Sequence, residues 1–163
     1  MKIKINKEGF SLVEFIIVIV IIGAIAGMAA PFISTILNAW VFSKTERDII
    51  FSARLSLNRM AREIRQIRNV ASINTFTSTE FDFIHIDDNQ IDFKQSGSLL
   101  LRNANELSDK LQNPGGLEFT YLDSDGNVTG VRDNIRMVRI KLILVSGSNN
   151  LTVESLARFR NTS

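Results

Sequence analysis

The chain has 163 residues, 45% of them hydrophobic, and a formal net charge of +2 at neutral pH. This length is enough for one domain with an appendage and too short for two comfortable cores. The absence of cysteine excludes disulfide cross-links, thiol catalysis and cysteine-ligated zinc, and no recognisable motif predicts nucleic-acid binding.

The first predicted element is a long apolar helix. No residue from 15 to 43 is charged, and residues 15–33 are all apolar or small. A run of this length is a candidate membrane span by the usual criterion of about 20 apolar residues. Lysines at positions 2, 4 and 7 precede it. Their positive charge predicts that the N-terminus stays in the cytoplasm while the C-terminal region lies outside.

Glu14 lies at the start of the apolar run, where a helix continuing back to Phe10 would bury it in the membrane. A carboxylate in that position costs about 3 kcal/mol even on lenient insertion scales, so we expect it to have a partner. Cleavage between Gly9 and Phe10 would create one. The new ammonium group on Phe10 would lie about one helical turn from Glu14, and in a similar place on a neighbouring copy.

The short basic leader, the residues Gly9 to Glu14 (GFSLVE) and the apolar helix together resemble the class III signal of type IV pilins and of type II secretion pseudopilins. The resemblance implies that a prepilin peptidase cuts after Gly9 and methylates the new N-terminal residue, Phe10. It implies that Glu14 pairs with the N-terminal amine of an adjacent subunit. The implied partners are other pilins or pseudopilins, an inner-membrane assembly platform and membrane lipid. Pro31 falls where many family members have a helix-kinking proline.

Two other readings of the N-terminus remain open. An ordinary secretory signal would be cut among the small residues at 24–29, but acidic Glu8 and Glu14, and apolar residues continuing to Trp40, argue against it. The second alternative is a signal-anchored extracytoplasmic binding or sensor domain that does not polymerise. That alternative leaves Glu14 without a role.

Beyond Pro31, which is predicted to bend or loosen the helix by removing one hydrogen bond, a second helical pattern follows. Apolar residues recur at spacings of three and four: Ala53, Leu57, Met60, Ile64 and Ile67. Such a stripe is typical of a helix packed on its own sheet. Residues 44–68 carry seven basic and three acidic side chains. We interpret this basic face as solvated, with contact to phospholipid head groups or acidic neighbouring subunits as the alternative.

After residue 69 the pattern changes to short β-like segments. They are predicted at 81–85, 91–93, 99–101, 117–122 and 135–145, with a last strand that has Val153, Ala157 and Phe159 on one face. Turns are predicted at 87–89, 96–98 and 113–116. Because tight turns join successive strands, the sheet is expected to be antiparallel. The predicted fold class is α+β: one long N-terminal helix with a protruding hydrophobic half, packed through its other half on an antiparallel sheet.

Few residues suggest chemistry. Asp123, Asp125 and Asn127 around Gly126 are weak calcium candidates, but an EF-hand loop placed on that glycine would lack its terminal carboxylates. A hairpin turn built on Asp125 and Gly126 explains them without a metal. The single histidine, His85, is interpreted as a strand residue. We therefore predict no catalytic set, no cofactor and no enzymatic activity.

The predicted organisation is a cleaved leader (1–9), a hydrophobic transmembrane and assembly helix (10–43), and an amphipathic helix half with a β head (44–163). The predicted function is that of a structural subunit in a type IV pilus (fimbrium) or type II secretion pseudopilus. A loose resemblance of the C-terminal strands to J-type and W-type subunits, with no C-terminal cysteine pair, favours a minor subunit at the tip. The predicted location is the inner membrane, single-pass, and then the filament.

Overall fold

The computed structural model describes residues 11–147 and 149–160. Within them, one α-helix precedes eight strands, and two short 3-10 helices lie at Val70–Ser72 and Arg132–Asn134. The elements are α1 (Leu12–Arg65), β1 (Ile73–Phe76), β2 (Glu80–Ile84), β3 (Gln90–Ser96), β4 (Leu99–Arg102), β5 (Asn105–Ser108), β6 (Leu117–Leu122), β7 (Met137–Ser146) and β8 (Asn149–Arg158). The chain divides into two compact units, Met1–Lys44 and Thr45–Ser163, which we describe separately.

In the first unit, the described residues 11–44 are helical from Leu12 onward, and none of them is buried. Helix α1 runs through Pro31 without interruption, although proline has no N–H to donate. The hydroxyls of Ser34 and Thr35 each donate to the Pro31 carbonyl oxygen at 2.9 Å. The kink at Pro31 therefore stays a prediction. The two hydrogen bonds give the hydroxyls of Ser34 and Thr35 an acceptor within the helix.

In the second unit, α1 contributes one face to a hydrophobic core. Ala53, Leu57, Met60 and Ile64 are all buried, as the stripe predicts. The helix ends with a tightened turn, in which the Gln66 N–H donates to the Glu63 carbonyl at 3.0 Å. The second unit, which we call the head, therefore has its own core.

The head contains two antiparallel sheets. The first has the order β1-β2-β3-β4-β5, so each strand pairs with its neighbour in sequence, and the second has the order β6-β7-β8. This arrangement confirms the predicted α+β class, with the strands divided between two sheets. Strand β6 has the predicted bounds, and the long strand predicted at 135–145 is β7. Its alternate residues are fully buried, as predicted: Val138, Ile140, Leu142 and Leu144.

Aromatic rings from both sheets meet in the core. The Phe81 ring centroid lies 5.1 Å from that of Phe83, 5.7 Å from that of Phe119 and 5.4 Å from that of Tyr121. The Tyr121 hydroxyl donates to the Thr77 carbonyl at 2.7 Å. Since alternate residues of a strand face the same side, β2 and β6 supply these rings without interrupting their ladders. The two sheets thus share one core.

Candidate assembly segment

Residues 11–44, here called the N-terminal segment, expose their apolar side chains. Leu12 is 77% exposed, Phe15 60% and Trp40 61%. An apolar surface on this scale marks contact with a membrane or another protein. In the described part of the chain, α1 is the one helix long and apolar enough to cross a membrane. The N-terminal segment therefore requires an apolar environment, which the described part of the isolated chain does not supply.

Glu14 is the single charged residue between positions 11 and 43. It lies in the first turn of α1, where the helix dipole favours a negative charge. Its side chain is exposed and forms no ion pair with any residue in 11–147 or 149–160. Gly9 and Phe10, the predicted processing residues, lie outside the described residues. The carboxylate is thus available to a partner that the described chain does not provide.

The far end of the N-terminal segment carries a pair that the sequence analysis did not single out. The Lys44 Nζ lies 5.9 Å from the centroid of the Trp40 ring, a cation–π geometry. Tryptophan and lysine are both favoured where a membrane helix meets the water interface. An aromatic residue one turn before the first lysine after an apolar run is a signal that could have found this pair.

The weak calcium candidates lie in a turn of the head. The backbone N–H groups of Asn127 and Asp125 both donate to the Asp123 Oδ1 at 2.9 Å, and these hydrogen bonds lower the pKa of Asp123. An antiparallel bridge between Leu122 and Val128 closes the turn, which confirms the predicted reversal. Within the two described ranges, no group of three or more metal-ligating side chains of the His, Cys, Asp and Glu types occurs.

His85 has a structural setting. It directly follows β2 and forms an isolated bridge with Ile67. Its Nε2 lies 2.9 Å from the Gln66 Oε1, and its Nδ1 accepts the Asp87 N–H at 3.3 Å. Both ring nitrogens are therefore engaged, and the residue is buried. This environment fits a side chain that ties the end of α1 to the sheet.

Comparison with protein families gives one finding for the N-terminus. Residues 4–30 match the prokaryotic N-terminal methylation motif. The match includes Gly9, Phe10 and Glu14 and covers about a sixth of the chain. It supports a relationship to type IV pilin-like prepilins, and together with the apolar helix it is consistent with membrane anchoring. The chain has no match among curated proteins.

Proposed function

We propose that this chain is a structural subunit of a type IV pilus or type II secretion pseudopilus, and within it a minor, tip-associated subunit. The observation that carries the proposal is an N-terminal methylation motif leading into an exposed apolar helical stretch, in which Glu14 is the single charged residue between positions 11 and 43. A helix apolar on all sides needs a membrane or a bundle of other helices around it. A filament core built from such helices supplies the second environment.

The assembly chemistry follows from one new charge. Cleavage after Gly9 leaves an ammonium group on Phe10, which is then methylated. In an apolar bundle the attraction between this group and Glu14 of an adjacent subunit is stronger than in water, because the local dielectric constant is lower. An unpaired carboxylate in the same place is strongly disfavoured. The ion pair therefore favours the register of an incoming subunit in which both charges are paired, and it disfavours the other registers.

The proposed course begins in the inner membrane, with the leader in the cytoplasm and the head outside. Prepilin peptidase acts at Gly9 and Phe10, and an inner-membrane assembly platform moves the subunit from lipid into the filament. Pro31, in the middle of the N-terminal segment, is proposed to let the helix bend as it packs. The buried core of the head, which includes Phe81 and Ile140, allows that unit to keep its fold during the transfer.

Processing is tested by replacing Gly9. We expect Gly9→Leu to leave an uncut precursor, heavier than the mature chain by nine residues and lacking the methyl group, because a bulky side chain would block the junction. The measurement is the intact mass of full-length protein produced beside a prepilin peptidase. Gly23→Leu is the matched control, since a side chain at Gly23 meets nothing within 4 Å. Normal maturation of Gly9→Leu would contradict the proposal.

Assembly is tested by replacing Glu14. We expect Glu14→Gln to be inserted and cleaved normally, since a neutral side chain enters the membrane more easily, but to lose at least 90% of partner capture. Cross-linking to other pilins in native membranes measures capture, and Glu46→Gln on the same helix is the control. Full capture by a correctly cleaved Glu14→Gln chain would show that this carboxylate does not direct assembly. Absence of capture even by the unaltered chain would favour the non-polymerising anchored domain.

A further inference from the structure

Strand β8 is a long and regular edge strand. It pairs with β7 alone, over ten consecutive residue pairs without a register shift. Natural proteins usually protect sheet edges by making them short, bulged or covered, or by placing proline or charged residues, especially lysine, on them. Strand β8 contains no proline, no bulge and no lysine, and its charged residues are Glu154 and Arg158. Its outer side is therefore a template on which another strand can pair.

The direction of the free backbone groups follows from one hydrogen bond. The Phe159 N–H donates to the Arg136 carbonyl at 3.0 Å, so odd-numbered residues of β8 direct their backbone groups toward β7. Because the direction alternates along a strand, Asn150, Thr152, Glu154, Leu156 and Arg158 direct theirs outward. None of these outward groups has a backbone partner within the described ranges.

The other sheet edges of the head are protected. Strands β1 and β5 have four residues each, and both pair with a register shift. The Ser56 hydroxyl also donates to the Leu107 carbonyl of β5. The outer side of β6 is occupied, since the Phe119 N–H donates to Ser78 and the Tyr121 carbonyl accepts from Thr129. The contrast leaves β8 as the accessible edge of the described head.

A groove lies beside this edge. It has a volume of about 410 Å³ and is lined by Arg54, Leu57 and Asn58 of α1 and by residues 152–155 of β8. We call it the β8 groove. Leu57 and Val153 provide apolar contacts, while the outer rim is polar. Beyond the end of β8, the Arg160 N–H donates to the Arg65 carbonyl at 3.2 Å. The backbone that is left for an added strand is therefore that of residues 150–158.

The charge beside the groove is positive. Arg54 lines it, and Arg65 and Arg160 line a second hollow of about 170 Å³ where the chain leaves β8. None of these three arginines forms an ion pair with any residue in 11–147 or 149–160. Glu154 is the one acidic side chain in the lining. It lies opposite Lys141 in the β7–β8 pair, but Lys141 forms its ion pair with Glu118 at 3.2 Å. An acidic partner therefore meets three arginines and one carboxylate.

We propose that β8 is a strand-addition site for an extended acidic segment of another polypeptide. The segment's backbone pairs with the outward groups of Thr152, Glu154 and Leu156, and its carboxylates meet Arg54 and Arg65. Backbone pairing supplies affinity, and the charges and the apolar floor select the sequence. This site is independent of the filament function proposed above, and its failure would leave that function untouched.

The test uses full-length protein labelled with nitrogen-15 in detergent micelles. The probe is a ten-residue peptide that alternates glutamate and valine, compared with one that has lysine in place of glutamate. We expect the acidic peptide to slow amide hydrogen exchange at Thr152, Glu154 and Leu156 at least tenfold. Val153 and Ser155, already paired with β7, should not change. The lysine peptide should bind at least tenfold more weakly by fluorescence anisotropy.

Two variants separate strand pairing from simple charge attraction. Leu156→Pro removes an outward N–H and keeps the β7 ladder, and Arg54→Glu reverses one cation; each is expected to weaken binding at least tenfold. Arg62→Glu is the matched control and should bind normally, because Arg62 is an exposed arginine of α1 that lines a hollow with His85 and Arg102 and not the β8 groove. Unfolding midpoints establish that the variants are folded.

Three results would overturn the proposal. Unchanged exchange at the outward amides, or equal binding of the two peptides, would exclude an acidic strand. Normal binding by folded Leu156→Pro would reduce the contact to charge attraction without strand pairing. Protection of these amides that grows with protein concentration in the absence of peptide would assign the edge to a second copy of this chain.

Discussion

Helix α1 contains two stretches with opposite environments. Between residues 12 and 44 no side chain is buried, whereas between 45 and 65 seven are buried. Apolar residues surround the first stretch on every side but form a stripe in the second. A stripe predicts a partner within the same molecule, and an all-round apolar surface predicts one outside it. The arrangement of apolar residues around the helix, and not their number, separates the two stretches.

The two stretches of α1 also differ in where the burial of their apolar side chains contributes stability. Full burial of a large apolar side chain stabilises by about 1.5–3 kcal/mol. For Ile64 or Met60 this stabilisation belongs to the head, since both are fully buried there. For Ile16 or Phe32, exposed at 52% and 70%, it becomes available only when a bilayer or another subunit covers the helix. Substitutions in the two stretches should therefore affect different measurements.

The largest expected effect tests this division with one residue type. Phe83 is fully buried and contacts the Phe81 and Phe93 rings, so Phe83→Ala should destabilise the head by about 3–5 kcal/mol. Phe15 is 60% exposed, and Phe15→Ala should leave that stability unchanged. Thermal unfolding followed by the near-ultraviolet signal of Tyr121 measures both. Equal losses from the two substitutions would mean that the N-terminal segment is part of the folded core.

The second prediction compares two glutamates of the same helix. Glu63 is 13% exposed at its side chain and accepts from Arg102 at 2.7 Å and from Arg59 at 3.1 Å. We expect Glu63→Gln to destabilise the head by about 1–3 kcal/mol, the usual range for hydrogen bonds to charged groups. Glu14→Gln should not change the same unfolding midpoint. Exposed Glu106, which forms no ion pair in the described ranges, supplies a control within the head.

The third prediction concerns alkaline pH. Burial raises the pKa of Tyr121, so the folded head keeps the phenol neutral while the unfolded chain ionises near pH 10. Stability is then complete below pH 10 and falls above it, by up to about 1.4 kcal/mol per pH unit. Tyr121→Phe should be about 1 kcal/mol less stable at pH 7, through loss of the hydrogen bond to Thr77. It should also lack the fall in stability above pH 10 that ionisation of the phenol causes. Parallel pH profiles would contradict the assignment to the chain's single tyrosine.

The smallest expected effect lies in the exposed turn at Asp123. Hydrogen bonds from the N–H groups of Asn127 and Asp125 lower the pKa of Asp123. Their stabilisation is present above the ordinary aspartate pKa of about 3.9 and is lost as pH falls through the lower folded pKa. Asp123→Asn should flatten the stability profile in this acid range. Asp125→Asn is the control, because it keeps the backbone N–H groups that donate to Asp123. Millimolar calcium should leave the midpoint unchanged, whereas a large calcium-dependent rise would restore the metal interpretation.

The predictable parts of the fold are those with strong local periodicity. The stripe on α1 repeats over several turns, and β7 alternates over ten residues, so the sequence predicts both. Strands β1 and β5 were not predicted. Each has four residues and a mixed composition, Ile-Asn-Thr-Phe and Asn-Glu-Leu-Ser, because an edge strand with few buried positions needs little alternation. The division into two sheets depends on pairing between strands, which no local pattern encodes.

The candidate sites differ in the same way. Gly9, Phe10 and Glu14 are neighbours in sequence, so the amino-acid order alone is enough to propose their chemistry. The β8 groove joins Arg54 to residues 152–155, about a hundred positions apart. In the sequence, Arg54 looks like any other solvated arginine of a basic helix. Whether the β8 edge is accessible depends on where the other strands end. Such a surface becomes visible only when the distant parts are placed side by side.

The hydroxyls of Ser34 and Thr35 bear on the proposed transfer of the N-terminal segment from lipid to filament. Both donate to the Pro31 carbonyl within the helix, so neither needs water or a neighbouring chain as an acceptor. A hydroxyl with no acceptor in its own helix would favour surroundings that provide one, since a hydroxyl left without a hydrogen bond in an apolar medium costs at least about 1–3 kcal/mol. Because their acceptor belongs to the same helix, these two side chains have little preference between lipid tails and protein side chains. In the proposed transfer from lipid to filament, the N-terminal segment would then keep both hydrogen bonds to Pro31.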